Sequence, residues 1–510
     1  MSAAPDDLPR SAAGGRNPWL IAVIVSIATF MEVLDTTIAN VALRHMAGSF
    51  GASQDESTWI LTSYLVSNAI VLPISGWLAN VVGRKRFYML CVALFTASSA
   101  LCAAATSLSF MIAMRILQGI GGGGLAPSEQ SILADSFPAE KRPQVFALYG
   151  LTVVLAPAIG PILGGWLTDS YSWRWVFLIN LPVGLISLSL SGLFLHEPEI
   201  LVRERKALLS SGFQVDYIGF ALVALGFGAL QVVMDRFQQD DGFSQPFILA
   251  LSAVSASSIA FLVLWEVWQP HPMVNVRLLR YRSFAGACVV MFVIGFTLYS
   301  TTQLLPQITQ ALLGYDATRA GMTLAGGGLA TVLLMPVAGA ITGRVIQPKW
   351  LIAMALVVTG LAMLNLARLP PDADFLTLSI GRICQAVALP FLFIPVSAAS
   401  YVGLPAGSNN EASAIINLMR NMGGSVGVSI ATTMVERRTQ FHHARLAEHI
   451  TAATDLGGRT LGRMEQSLHT QASFLSYLDV FVLLGVGALV IWPVAFLLRS
   501  IPKGEVQLGH

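Results

Sequence analysis

The sequence predicts an all-α integral membrane protein, and three observations carry that reading. Only 11% of its 510 residues are charged while 55% are hydrophobic, with a mean hydropathy of +0.67, whereas ordinary soluble domains run at about 25% charged. About fourteen apolar runs approach the ~20 residues that a helix needs to cross hydrocarbon; they begin near residues 18, 58, 87, 110, 143, 175, 217, 246, 283, 320, 350, 375, 412 and 474. The basic residues fall in short clusters between those runs. With the N-terminus inside, 17 of the 30 Lys and Arg, including every lysine, lie on the inner side and 10 on the outer, and Arg115, Arg382 and Arg420 fall within runs. That asymmetry orients the chain with both termini cytoplasmic. A net charge of +2 spread over such clusters forms no basic face for nucleic acid.

Residues 1–17 form a polar tail without an apolar core or cleavage site, so no removable signal peptide is expected and the first helix is retained. That first run holds Glu32 and Asp35. A charge near mid-bilayer costs about 2.5–3.5 kcal/mol even on insertion scales, so such groups face a watery cavity or a partner and mark proton, ion or substrate paths. Three residues apart, the two acids share a helix face. Either they form the proton-coupling engine, or one of them only pairs with a buried arginine.

The second run ends in PISGWLANVVGRKR, where Gly76 permits close helix approach and Gly83 a tight turn before Arg84 and Lys85. These four residues resemble the signature loop of the major facilitator superfamily, except that the acid of that signature is replaced here by Asn80. The basic knot is a topology anchor or a gating element. In the fourth run, Arg115 followed by Gln118 and Gly119 resembles a second signature of that superfamily, in which the arginine is associated with proton transfer. A buried arginine needs an acid, and Asp35 or Glu32 is available in the same half. Gly119, Gly121 and Gly124 formally fit a dinucleotide fingerprint, but no strand precedes them, and they read as packing residues.

The fifth run carries APAIGPILGG, with Ala156, Gly160 and Gly164 at four-residue spacing and with Pro157, Pro161 and Gly165 beside them. Small residues at that spacing let two helix backbones touch, and the prolines bend the helix. The pattern resembles the motif that marks exporters within the superfamily. LDTTIANVAL at 34–43, which contains Asn40, and WRWVFLINLPVG at 173–184 resemble hallmarks of its fourteen-helix drug:proton antiporter family, the EmrB/QacA type.

The chain also repeats itself. Pro73-x-x-Gly76 recurs as Pro336-x-x-Gly339, and Arg115-Ile116-x-Gln118 recurs as Arg382-Ile383-x-Gln385, in the same order and at nearly the same offset along the chain. Two matching offsets imply two parallel six-helix halves. The expected organisation is therefore a cytoplasmic tail (1–17), an N-terminal six-helix bundle (18–195), a linker with two inserted helices (196–282), a C-terminal six-helix bundle (283–498) with a long outer loop (436–473), and a second cytoplasmic tail (499–510). Arg382 is either a relic of the duplication or a functional twin of Arg115.

In the thirteenth run Asn417 and Arg420 are candidates to line a substrate cavity, together with Gln118 and Asn40; alternatively Arg420 only bonds helix-end carbonyls. Gly423 to Gly427 formally fit G-x-S-x-G, but neither a strand nor a histidine base accompanies them, so no hydrolase elbow is expected. Four scattered cysteines and eight histidines outside the apolar interiors give no metal spacing, and His442, His443 and His449 read as a solvated face rather than a metal site. No G-x-x-x-x-G-K-[ST] loop points to ATP. The expectation is a secondary transporter with no cofactor, not an enzyme, which exports amphipathic compounds in exchange for protons. Asp35, Glu32 and Arg115 would be its coupling groups. A proton-coupled importer or exporter of one metabolite is the alternative. The resemblance further implies an inner-membrane location and, as partners, a periplasmic adaptor of the membrane-fusion type and an outer-membrane channel.

Overall fold

A computed structural model describes residues 17–501, apart from 198, 211–214, 240–241, 271, 316, 372, 406 and 449–457. The elements of the first half are α1 (Pro18–Phe50), α2 (Gln54–Val82), α3 (Arg84–Ala103), α4 (Leu108–Gly122), α5 (Leu125–Ser136), α6 (Arg142–Ser170), α7 (Trp175–Leu178) and α8 (Asn180–Phe194). Next come α9 (Glu199–Ser210), α10 (Tyr217–Arg236) and α11 (Pro246–Trp268). The second half comprises α12 (Arg282–Ala311), α13 (Ala317–Ile341), α14 (Pro348–Leu366), α15 (Phe375–Ala386), α16 (Leu389–Ala399), α17 (Asn409–Ala447) and α18 (Gly458–Ile491).

Each of the fourteen apolar runs is one helix or a consecutive pair. The fourth breaks into α4 and α5 at Gly123 and Gly124, and the twelfth into α15 and α16 at Val387 and Ala388. By length and apolarity, twelve spans qualify among the described residues, and α6 makes a thirteenth once its 41° bend between Arg142–Pro157 and Ile159–Ser170 is allowed. A bend is what Pro157 and Pro161 impose, because each removes a backbone donor and crowds the preceding turn. The fourteenth, α17, is less apolar. It is polar because it runs through the middle of the protein, packed on α2, α5, α10, α12 and α18.

The termini of the helices follow ordinary capping chemistry. Asn17 caps α1, with Pro18 in its first turn, and Ser53 and Glu56 form a capping box at α2. Gly83 turns α2 into α3 at φ +99°, a conformation that side chains rarely adopt.

Helices α1 to α8 pack among themselves, as do α12 to α18, and α10 leans on α2 and α17 with α11 outside it. The two groups meet mainly through α2 and α5 against α17 and through α6 against α13 and α16. Two tight backbone approaches between the groups lie at one end of the molecule, shared by the start of α1 and the end of α18. There a Cβ on Gly76 would stand 2.7 Å from the Asn410 carbonyl oxygen, and one on Gly339 3.0 Å from that of Pro143. Asn410 donates to Asn80 at 2.6 Å, and Arg84 and Asn409 both bond Asp135. This end is closed.

The segment expected as a long outer loop, 436–473, is helical in most of its described part. Helix α17 has 39 residues and α18 has 34, about 58 and 51 Å at 1.5 Å per residue, so both exceed the ~30 Å hydrocarbon thickness. They extend as an antiparallel pair, tied by Arg438 and His442 to Asp479 at 2.5 and 2.8 Å and by His443 to Glu465 at 2.9 Å. His449 lies outside the described residues, and among those described no three metal-ligating side chains gather. Three cysteines are buried as packing residues, whereas Cys384 is exposed on the surface of α15.

Candidate functional site

The α1 acids sit where the first half is most tightly packed. Helix α1 is pressed onto α6: a Cβ on Gly160 would collide with Thr37 Oγ1, and one on Gly164 would stand 3.0 Å from Ile38 Cγ2. Gly165 meets nothing within 4 Å, so the contact runs through the first two glycines alone. That contact fixes the rotation of α1 and turns Asp35 toward α4 and α8.

Asp35 is wholly enclosed. Arg115 Nη1 donates to its Oδ2 at 2.6 Å, while Gln118 Nε2 and Asn180 Nδ2 donate to its Oδ1 at 3.0 and 2.7 Å. Arg115 also donates to Gln118 Oε1 at 2.8 Å and through Nε to the Ile60 carbonyl at 3.1 Å, and it lies 4.4 Å over the Tyr64 ring. Every polar atom of the carboxylate is therefore satisfied by a donor from α4 or α8, the condition under which a buried ion pair is tolerated. Gln118 thus belongs to this ion-pair network, not to a cavity wall. Asn180, which sequence reasoning missed, opens α8 and also donates to Ser99 at 3.0 Å.

Glu32 lies one turn earlier and is half-buried, and it accepts from the Tyr64 hydroxyl at 3.2 Å. Thr36 and the exposed Asn40 follow on the same stripe of α1. Glu32 interacts electrostatically with Arg420 of α17, as does Glu129 of α5, a second buried acid that sequence reasoning missed. Glu129 accepts from Ser26 at 2.5 Å, and its Oε2 has no hydrogen-bond partner.

Arg420 donates to the Tyr149 hydroxyl at 2.7 Å, not to helix-end carbonyls, and its Nε is unpaired. Asn417 donates to Gln130 at 2.9 Å and accepts from Tyr149 at 3.1 Å. These bonds join α5 and α6 to α17, so the polar core spans both helix groups. Gly423 and Gly427, the two that resemble part of a hydrolase elbow, lie against the backbone of α12 at Phe292 and Phe296 and serve packing.

At the closed end the basic knot has separate tasks. Arg84 pairs with Asp135, its amide donates to Glu197 at 2.9 Å, and Lys85 donates to the Gly192 carbonyl at 2.9 Å. Asn80, in place of the signature acid, also faces Glu411 at 3.4 Å. A cavity of about 160 Å³ lined by Asn80, Arg84, Glu197, Arg205 and Asn410 lies there, away from the α1 acids.

A buried, salt-bridged carboxylate inside a two-group helical membrane fold is an arrangement of ion-coupled transporters. The family model described as Major Facilitator Superfamily matches residues 25–428. The chain belongs to the major facilitator superfamily. Within it, the chain is 34% identical to the multidrug export protein EmrB of Haemophilus influenzae over 448 residues, covering 88% of this chain and 86% of that one. It is 32% identical to the fatty acid resistance protein FarB of Neisseria gonorrhoeae, covering 95% and 97%. These place it in the EmrB-type branch. The proton:xylose symporter XylE shares the fold, with a TM-score of 0.60 at 15% identity over 93% of this chain and 94% of that one.

Proposed function

We propose that this chain is a proton-coupled multidrug exporter of the inner membrane, a drug:H⁺ antiporter for amphipathic or lipophilic compounds, with both termini cytoplasmic. Its relatives named for multidrug export and fatty acid resistance support the substrate class. The observation that carries the mechanism is the enclosed Asp35–Arg115 pair. A proton delivered to Asp35 cancels the charge that holds Arg115, Gln118 and Asn180 together, which loosens α1 from α4 and α8. Glu32, one turn away on the stripe of Thr36 and Asn40, faces the substrate path. A cationic group bound there favours the charged carboxylates, and protonation expels it.

The helices of 18–195 and 283–498 act as two halves that rock about the Glu32–Arg420–Tyr149–Asn417 core, with the helices of 196–282 as a brace. The closed end is the cytoplasmic one, held to α17 by Asn80 and by Asp135, which Arg84 positions. The α1–α6 contact through Gly160 and Gly164 favours export over import. The α17–α18 pair, which projects on the outer side, is the docking element for a periplasmic adaptor of a three-part pump. Reconstituted protein with an imposed pH gradient and a panel of lipophilic compounds tests the reading: uphill movement of compound against proton flux supports it, and movement indifferent to the gradient rules it out.

A further inference from the structure

The C-terminal half repeats the coupling site with its acid missing. Arg382 and Gln385 of α15 stand where the internal repeat places Arg115 and Gln118, and the same shift along the chain, to within one position, carries Asp35 onto Thr301 of α12. The repeated geometry is close. Arg382 Nη1 bonds Gln385 Oε1 as Arg115 Nη1 bonds Gln118 Oε1, and it donates to Thr301 Oγ1 at 3.2 Å where Arg115 donates to Asp35. Thr301 spends its own proton on the Thr297 carbonyl at 2.7 Å, so its oxygen is free to accept.

What the second half lacks is the anion. Arg382 is 6% exposed, and among the described residues no acid pairs with it. Two donors that are satisfied in the first half are unsatisfied here. Arg115 Nε reaches the Ile60 carbonyl and Gln118 Nε2 reaches Asp35, whereas Arg382 Nε and Gln385 Nε2 are both buried without partners. A guanidinium removed from water needs an opposing charge and filled donors to offset its desolvation. Gly327 of α13 packs directly on the stem of Arg382, where a Cβ would stand 2.9 Å from its Cγ and 3.2 Å from its Nε. About 10 Å farther out along α15, seven residues at 1.5 Å each, a cavity of about 350 Å³ opens between Tyr315, Arg319, Met322 and Phe375.

We propose that Arg382, Gln385 and Thr301 form a binding site for a monovalent anion, a halide or the carboxylate head of an amphiphile, which takes the place that Asp35 fills in the first half. The cavity beside Met322 and Phe375 is its approach from the outer side. The site is independent of proton coupling at Asp35, and its test needs no transport.

Purified full-length protein in detergent is melted while its tryptophan emission is followed, with sodium chloride and, separately, sodium octanoate titrated at constant ionic strength against a bulky sulfonate. The wild type should gain melting temperature saturably with at least one anion. Arg382→Gln should lose that response, with an apparent affinity at least about tenfold weaker. Thr301→Asp supplies the carboxylate internally, so it should melt as high without added anion as the wild type does when saturated, and should respond to neither salt. A response to chloride assigns the site to inorganic anions, and a response to octanoate alone assigns it to amphiphile carboxylates; either supports the proposal. A wild type with no saturable response, an Arg382→Gln protein that responds as the wild type does, or a Thr301→Asp protein that keeps the wild-type response overturns it.

Discussion

Removing one member of the Asp35–Arg115 pair should destabilise the protein strongly, and removing both should cost clearly less than the sum of the two single effects, by an amount that follows from the geometry. The two side chains are 0% and 1% exposed and 2.6 Å apart. Breaking such a pair strands a desolvated charge, which costs about 3–5 kcal/mol. Asp35→Asn keeps an acceptor for Asn180 or Gln118 and should fall at the low end of that range. Arg115→Gln also loses the bond to the Ile60 carbonyl and the stacking on Tyr64, and should fall at the high end. The double variant removes both charges, so the interaction energy from the cycle should be about 2–3 kcal/mol. Unfolding of the purified protein in mixed micelles at increasing dodecyl sulfate fraction, for wild type, both single variants and the double, measures it. Single effects that add within about 0.5 kcal/mol, as independent sites do, would refute the pairing.

Three other outcomes follow from the packing. Gly160→Ala should lower yield and transport several-fold because its methyl group meets Thr37, while Gly165→Ala, with nothing within 4 Å, should behave as the wild type in the same assay. Asn80→Asp places a carboxylate beside Glu411, and like charges there should loosen the closed end; in a cysteine-free background, a Ser413→Cys reporter should then react faster with maleimide added from that side. Deleting 440–463 should leave substrate binding in detergent intact but abolish efflux from cells, and intact efflux would end the adaptor proposal.

The sequence made the spans legible because about 20 apolar residues between charged connections is a constraint the bilayer imposes directly. It also pointed to Asp35 or Glu32 as the partner of Arg115, since a buried arginine must find an acid, and the structure pairs it with Asp35. It did not reveal Asn180, Glu129 or Tyr149, because apolar residues surround a membrane helix on its lipid face as well as its protein face, so periodicity does not show which polar residues turn inward. Glu129 and Gln130 were hidden further by the break after α4, which shifts the helical register between Gly122 and Leu125. In the outer segment the near-helical spacing of Phe441, Leu446 and Ile450 points to the extension of α17, whereas no such spacing marks the matching extension of α18.

The central claim is that Asp35 carries the coupling proton, and Asp35→Asn in proteoliposomes tests it most directly. The substitution keeps the shape of the side chain and removes its titration, so the protein should insert and bind substrate while uphill transport driven by an imposed pH gradient disappears. If the Asp35→Asn protein transports at the wild-type rate with the wild-type dependence on the gradient, the account is contradicted, and the coupling group is another carboxylate, with Glu32 the first to replace.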